Sequence, residues 1–354
     1  MMAEKMIQYM IQRGSLLALL IIPVLLCVPH TQIAQAQSAG SFARLGFGAR
    51  GMAMSNALIA DANGNTSPYY NPALAPFATR QNLQASVAFM TFDRELQFLQ
   101  FASALPPRAG IAAGLIHAGV SDIDGRSSSG YHTENLSTDE YAIFLAFGLK
   151  LGKRASMGLG LQVFRADYLA DLEPVNSAGL DLGMTIQVTD VLRIGIVADD
   201  LLAKYSWDTS GLLSSGGKST SDKFPIRVRV GGAYTLAQGR ASLVAEYESR
   251  VSTLEYRTRL VEIVDLEPIE AVETEELQIQ QNLFRIGGEY KLAPAFAVQA
   301  GLDRIGDTDG GMRPTAGFNV AQSVGSLVTW FEYAFALEPH GTGTMHVLTL
   351  RLFL

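Results

Sequence analysis

From about Leu83 to the last residue, apolar and polar positions alternate in segments of roughly ten residues separated by turn signals. The segment Ala178 to Val188 is the clearest. Ala178, Leu180, Leu182, Met184, Ile186 and Val188 take one face, and Gly179, Asp181, Gly183, Thr185 and Gln187 take the other. Successive strand side chains point to opposite sides, so this pattern predicts a strand with one apolar face and one polar or small face. Tyr141 to Lys150, Ile226 to Gly231, Phe284 to Leu292 and Leu348 to Leu354 repeat it. About fourteen such segments follow one another, beginning near Leu83, Glu95, Arg108, Asp139, Ala155, Ser177, Val191, Phe224, Arg240, Leu277, Ala295, Pro314, Gly325 and Thr342.

The connections sort by parity. From the second onward, alternate ones are tight: Pro106-Pro107, Gly152-Lys153-Arg154, Thr189-Asp190, Ala237-Gln238-Gly239, Ala293-Pro294 and Ser323-Val324. Those between are mostly longer and polar: Ser121 to Thr138, Ala170 to Asn176, Ala203 to Lys223, Ser252 to Glu276, Gly306 to Arg313 and Glu338 to Gly341. Short turns on one side and long loops on the other are expected of a transmembrane antiparallel β-barrel with both ends periplasmic. A soluble sandwich alternates too, but has no reason to sort its loops. The Asp93-Arg94 turn is the exception, short where a long loop is expected.

Composition supports this all-β reading. Mean hydropathy is +0.17 and the chain holds 34 glycines, yet after the first segment no run of about 18 apolar residues could form a spanning helix. Residues 1–36 read as a secretory signal peptide. Lys5 and Arg13 precede the apolar stretch Ser15 to Val28, and Ala34-Gln35-Ala36 is a small-x-small cleavage site, so maturation is expected before Gln37. Residues 37–82 form a Gly-, Ala-, Asn- and Pro-rich segment without a period, and residues 83–354 the barrel. The expected location is therefore a bacterial outer membrane, with its lipids, lipopolysaccharide and the barrel-assembly machinery as partners. The net charge of -7 and the absence of any dense basic run exclude a nucleic-acid surface. Cys27 is the one cysteine and lies in the leader, which leaves the mature chain without disulfides or thiolate chemistry.

Little else points to catalysis. Gly46-Phe47-Gly48-Ala49-Arg50-Gly51 satisfies a dinucleotide-binding pattern but follows no strand, so it reads as flexible or tightly packed chain. His117 and His346 fall on strands and His132 and His340 in connections, without metal-ligand spacing. No cofactor, metal or catalytic residue is expected. The stretch with Glu262, Asp265, Glu267, Glu270, Glu273, Glu275 and Glu276 reads as a solvated acidic loop. Arg227, Arg229, Glu246, Glu248, Arg285, Glu289, Glu332 and Arg351 have the parity of the polar face. An Arg or Lys facing lipid at the midplane costs about 2–4 kcal/mol, so these charges are expected to face the lumen.

Two regions carry a family resemblance. The first is Gly48-Ala49-Arg50-Gly51-Met52 followed by Asp61 and Asn71-Pro72-Ala73; the second is Leu283 to Leu292, Glu332 to Phe335 and Met345 to Leu350. Both resemble the PorV/PorQ proteins and the related FadL-type fatty-acid transporters. The resemblance implies a fourteen-strand barrel whose N-terminal segment is a plug, or hatch, with Gly48, Arg50, Gly51, Asp61, Asn71, Pro72 and Ala73 as its motif. A PorV-type role implies protein secretion or surface presentation of the type IX kind, with secretion subunits or cargo as partners. A FadL-type role implies a channel for fatty acids or other hydrophobic compounds. The secretion role is the first expectation and the channel the alternative. A channel should hold an apolar pocket under the plug with a few polar anchors, a secretion component large outer loops and no closed pocket, and an enzyme a Ser/His/Asp cluster at the rim. If the lumen charges hold the plug, reversing the charge at Arg229 raises conductance in planar bilayers; unchanged conductance contradicts this.

Overall fold

Strict alternation lets one strand face hydrocarbon on one side and a filled interior on the other, and the backbone ladder can then leave no open edge. A computed structural model describes residues 39–63, 67–168, 172–208, 219–264, 267–307, 311–325, 327–338 and 343–354, with the backbone alone for 255–264, 267–274 and 324. His340 and the leader expected over residues 1–36 lie outside the described residues.

The strands, in chain order, are β1 (Asn82–Phe89), β2 (Arg94–Leu105), β3 (Ala109–Arg126), β4 (His132–Lys150), β5 (Ala155–Asp167), β6 (Val175–Gln187), β7 (Leu192–Leu201), β8 (Lys204–Asp208), β9 (Ser219–Lys223), β10 (Ile226–Leu236), β11 (Ala241–Val264), β12 (Glu267–Ala293), β13 (Phe296–Ile305), β14 (Arg313–Val324), β15 (Leu327–Leu337) and β16 (Thr344–Phe353). Fourteen of these described strands pair antiparallel with their sequence neighbours, and β1 closes on β16 from Asn82↔Phe353 to Phe89↔His346. The remaining two, β8 and β9, form a separate hairpin within the β7–β10 connection. The alternation fixes which face is which. On β4, Ile143, Leu145 and Phe147 are about half exposed, at 51, 52 and 48 %, while Ala142, Phe144 and Ala146 stay at or below 6 %.

The loops differ from expectation in two places. β3 and β4 continue through most of Ser121 to Thr138, and β11 and β12 run as one ribbon through Ser252 to Glu276, paired from Ala241↔Tyr290 to Val264↔Glu267. A bilayer needs only about 9–11 residues per strand. Beyond it both faces of a ribbon meet water, so the hydrophobic period vanishes while the backbone ladder continues. Glu262, Glu267, Glu270, Glu273, Glu275 and Glu276 therefore stand on a ribbon rather than a loop, and Asp265 lies outside the described residues. The short β1–β2 connection is a tight turn with Phe92 and Asp93 at φ 64° and 51°, the geometry that suits a two-residue hairpin. Glu338 covers it, accepting from the Thr91 backbone at 2.7 Å and from Arg94.

The interior is filled by the N-terminal segment. It contains one short α-helix, α1 (Gly48–Ala53), and a 3-10 turn, Pro72–Phe77. Asn71 begins that turn by accepting from Ala73 N at 2.9 Å, with Pro72 in the first position, where a missing N–H costs nothing. The segment lies directly on inward-facing glycines of the wall. A Cβ on Gly158 would stand 2.3 Å from the Pro72 carbonyl carbon, and one on Gly287 2.6 Å from the Met54 oxygen. These glycines let two backbones approach where any side chain would hold them apart. Gly287→Val should therefore lift the plug at α1 and raise conductance in planar bilayers. Gly288→Val, on the opposite face of the same strand, should leave it unchanged; equal effects of the two contradict the seating.

Candidate functional site

Two opposite walls of the lumen differ in chemistry. From β6 to β14 the inward positions carry charge. Arg229 donates through Nε and Nη2 to both oxygens of Asp199, at 2.6 and 2.9 Å. Arg227 Nε donates to Asp200 at 2.9 Å. Arg285 donates to Asp303 at 2.8 Å, Glu246 at 3.0 Å and Glu248 at 2.8 Å. All of these except Asp303 are below 10 % exposed. Glu332 and Arg351 stand apart, 3.4 Å from each other between β15 and β16.

Three of these carboxylates were not legible by parity. Leu180 pairs with Leu201 and Leu182 with Ala198, so Asp199 and Asp200 together oppose the single residue Asp181. This is a β-bulge, and Asp200 takes φ 60°, so that consecutive residues both turn inward. A second irregularity, between Phe284↔Ile305 and Ile286↔Leu302, leaves Asp303 and Arg304 opposite Arg285, with Arg304 at φ 54°. Each bulge supplies a carboxylate to an arginine. The available signal was Asp199-Asp200 itself, since strict alternation would have sent one of the pair into lipid.

The plug is pinned to this charged side. Arg50 of α1 lies 2.7 Å from Asp61 and 2.8 Å from Glu289 on β12. Arg229 Nη2 donates to the Tyr70 carbonyl at 2.7 Å. Ser55 and Thr315 share a hydrogen bond of 3.0 Å, and Ala49 N donates to Thr349 at 2.9 Å. Asn71 Nδ2 donates to Ile59 O at 2.7 Å, which ties the two halves of the plug together. Gly51 leaves room for Tyr70, whose hydroxyl would stand 2.1 Å from a Cβ there; that hydroxyl accepts from Phe47 N at 2.8 Å. Ala73 and Pro72 sit against β5, where Ser156 donates to Ala73 O at 2.8 Å. Gly48, at φ 73°, abuts Gln84 of β1. Burial opposes the charge on Arg50, but Asp61 and Glu289 outweigh it and hold the guanidinium above its ordinary value. For Arg44 burial outweighs the carboxylate of Asp200 at 3.8 Å, with Arg250 and Arg227 adding to it, and pulls it down to about 10.

The opposite wall, β2 to β5, is apolar. Leu96, Phe98, Ile116, Phe144 and Phe164 are buried inward residues of these strands. Phe47 and Tyr69 of the plug close against them, Phe47 at 5.0 Å from Phe98 and both within 5.6 Å of Phe144. Toward the long-loop end the wall continues into an aromatic nest. Phe164 meets Phe224 at 4.7 Å, Tyr205 of β8 meets Phe224 at 4.9 Å, and Trp207 stacks on Tyr168 at 5.3 Å. The β8–β9 hairpin caps this nest, and Lys223 fastens it to Glu276 on the β12 ribbon at 2.8 Å.

Among the described residues the lumen is closed. Its open space is about 20 Å³ beside Arg44, Arg227 and Glu248 and about 10 Å³ beside Tyr69 and Phe144, where one water needs about 10–15 Å³. Neither space is the open apolar pocket expected of a channel; among the described residues Phe47 and Tyr69 stand against the apolar wall. No three His, Cys, Asp or Glu among the described residues gather to hold a metal. His117 and His346 face outward, and His132 pairs with Asp124 on the exposed β3–β4 ribbon at 2.7 Å.

Solved structures share this architecture. The chain matches the Pseudomonas putida toluene transporter TodX with a TM-score of 0.57 and 14 % identity over 91 % of this chain and 98 % of that one. It matches the monoaromatic hydrocarbon channel CymD at 0.55 and 13 %, covering 87 % and 96 %. A Pseudomonas aeruginosa FadL homologue matches at 0.54 and 14 %, covering 87 % and 99 %. The fold is the closed fourteen-strand antiparallel barrel that these structures share. No family model and no curated protein matches the sequence. Identities this low establish architecture alone, and the residues of the lumen carry the rest of the argument.

Replacing Arg50 by Met leaves Asp61 and Glu289 buried without their cation, a change that costs about 3–5 kcal/mol. R50M should loosen the plug, seen as faster proteolysis within residues 39–78 of the folded barrel. Proteolysis at the wild-type rate contradicts the pinning role.

Proposed function

We propose that the protein is an outer-membrane channel for hydrophobic compounds, and that its closed state is the arrangement described above. The two-sidedness of the lumen carries this reading. The plug is fixed by charge and backbone contact to the β6–β16 side. On the β2–β5 side the Pro72–Phe77 turn is seated on Gly110, Gly148, Gly158 and Ser156 near the short-turn end, and beyond it toward the long-loop end the plug presents rings, Phe47 and Tyr69 against Phe98 and Phe144. An apolar wall therefore runs from the aromatic nest under β8–β9 down to these two side chains and the Pro72–Phe77 turn beneath them, so rotation of the rings would open the way along it as far as that turn. A molecule following this wall never has to displace a buried ion pair, whereas a hydrated ion on the other side would have to break several. Molecules selected in this way are apolar and small enough to pass a rotated ring.

The likeness to structures described as hydrocarbon channels supports the same reading. The secretion role implied by the PorV/PorQ resemblance gains no support from these likenesses. The polar lumen network and the ribbons above the bilayer are equally compatible with a channel.

Truncating one of the closing rings should open the apolar side selectively. In cells that lack other hydrophobic channels, Tyr69→Ala should raise uptake of a radiolabelled long-chain fatty acid or of toluene several-fold, with ionic conductance in planar bilayers near the wild-type level. A rise in ionic conductance without a change in uptake would count against the channel reading.

A further inference from the structure

The barrel closes where its wall is shortest. β1 spans eight residues, Asn82–Phe89, and pairs along its full length with β2 on one side and β16 on the other. Its outward residues are Leu83, Ala85, Val87 and Phe89. Ala85 is paired with Leu99 of β2 and Leu350 of β16, which are 46 and 47 % exposed. A methyl group thus stands between two large side chains on the lipid face. The result is a depression of about 500 Å³, bounded by Leu99, Leu115, Leu350 and Phe331 around Ala85. That volume is within the range of about 300–1,000 Å³ typical of small-molecule sites.

One edge of the depression is polar. Gln97 and His117 line it. They are paired across β2 and β3, one outward position nearer the long-loop end than Leu99 and Leu115. Gln97 Nε2 donates to Glu95 at 3.1 Å, and His117 Nε2 donates to Asp139 at 2.7 Å. The Gln97 carbonyl is left to accept, as is the second ring nitrogen of neutral His117. Two carboxylates stand directly behind them. Such an edge complements a group that donates and is positive, and it disfavours a bare anion. The hydrocarbon side of the depression faces the bilayer, so its occupant is a membrane component.

We propose that this depression binds one amine-headed membrane lipid, with an acyl chain lying over Ala85 and its ammonium at Gln97 and His117, so that the lipid covers the seam between β1 and β16. This assigns a site on the outer wall, independent of passage through the lumen.

The test is native mass spectrometry of the protein extracted from vesicles of equimolar phosphatidylethanolamine and phosphatidylglycerol and exchanged into a lipid-free detergent. Wild-type protein should retain one phosphatidylethanolamine per chain. Ala85→Phe should lower that occupancy about tenfold, and Ala85→Leu should lower it less. The outward control Ala178→Phe should retain wild-type occupancy, with folding of each variant checked by its heat-modifiable band on gels. Gln97→Leu with His117→Leu should keep a bound lipid but lose the preference for the amine head. Retention of both lipids equally by the wild type, detergent only, or unchanged occupancy in Ala85→Phe would each overturn the proposal.

Discussion

Arg229 holds both oxygens of Asp199 through Nε and Nη2, and Nη2 also donates to the Tyr70 carbonyl of the plug. The rest of the lumen depends on contacts of this kind. A barrel in hydrocarbon must send every charge inward, and a charge inside a filled barrel must then be matched or it costs several kcal/mol. This chain matches its arginines by bulging β7 and β13 so that Asp199, Asp200 and Asp303 turn inward. The plug completes the network through Arg50, Asp61 and Glu289. Taken singly, such buried pairs are weak contributors to net stability. Removing one partner is what is expensive, and that asymmetry is why they fix the position of the plug so firmly.

Because the matching is done on one side, the other side is free to be apolar. Phe98, Phe144 and Phe164 line it, and the plug meets Phe98 and Phe144 with the rings of Phe47 and Tyr69. The lumen is thus filled in two different ways: by ion pairs on the β7–β13 side, and on the β2–β5 side by the Pro72–Phe77 turn seated on wall glycines with two aromatic side chains above it. A ring can change rotamer on a fast timescale, whereas displacing a backbone seated on glycines requires moving the whole segment. On the proposed reading, this division separates a route for apolar molecules from the ion-paired side.

Much of this was legible along the chain. The period of two from Leu83 onward, the parity of the connections and the inward parity of Arg227, Arg229, Glu246, Arg285, Glu289 and Glu332 follow directly from the geometry of strands in lipid. The bulges did not, because parity arguments assume that no residue is inserted, and Asp199-Asp200 violates that assumption within one strand. The ribbons were misread as loops because β11 and β12 lose their apolar face once they leave the bilayer while keeping their hydrogen bonds. The plug residues could be named from their resemblance to a family motif. Their contacts could not, since Asn71 to Ile59 or Gly287 to Met54 are close approaches that no local pattern encodes.

The central claim is that apolar molecules pass on the β2–β5 side while the plug stays fixed on the other. Ser55 and Thr315, whose hydroxyls lie 3.0 Å apart, offer a direct test. In a Cys27→Ser background, Ser55→Cys with Thr315→Cys can be oxidised to tether the plug to β14. Uptake of a labelled hydrophobic compound by cells carrying this variant should be the same with the tether formed and with it reduced. Uptake that stops on oxidation and returns on reduction would mean that the whole plug must leave, and would contradict the account.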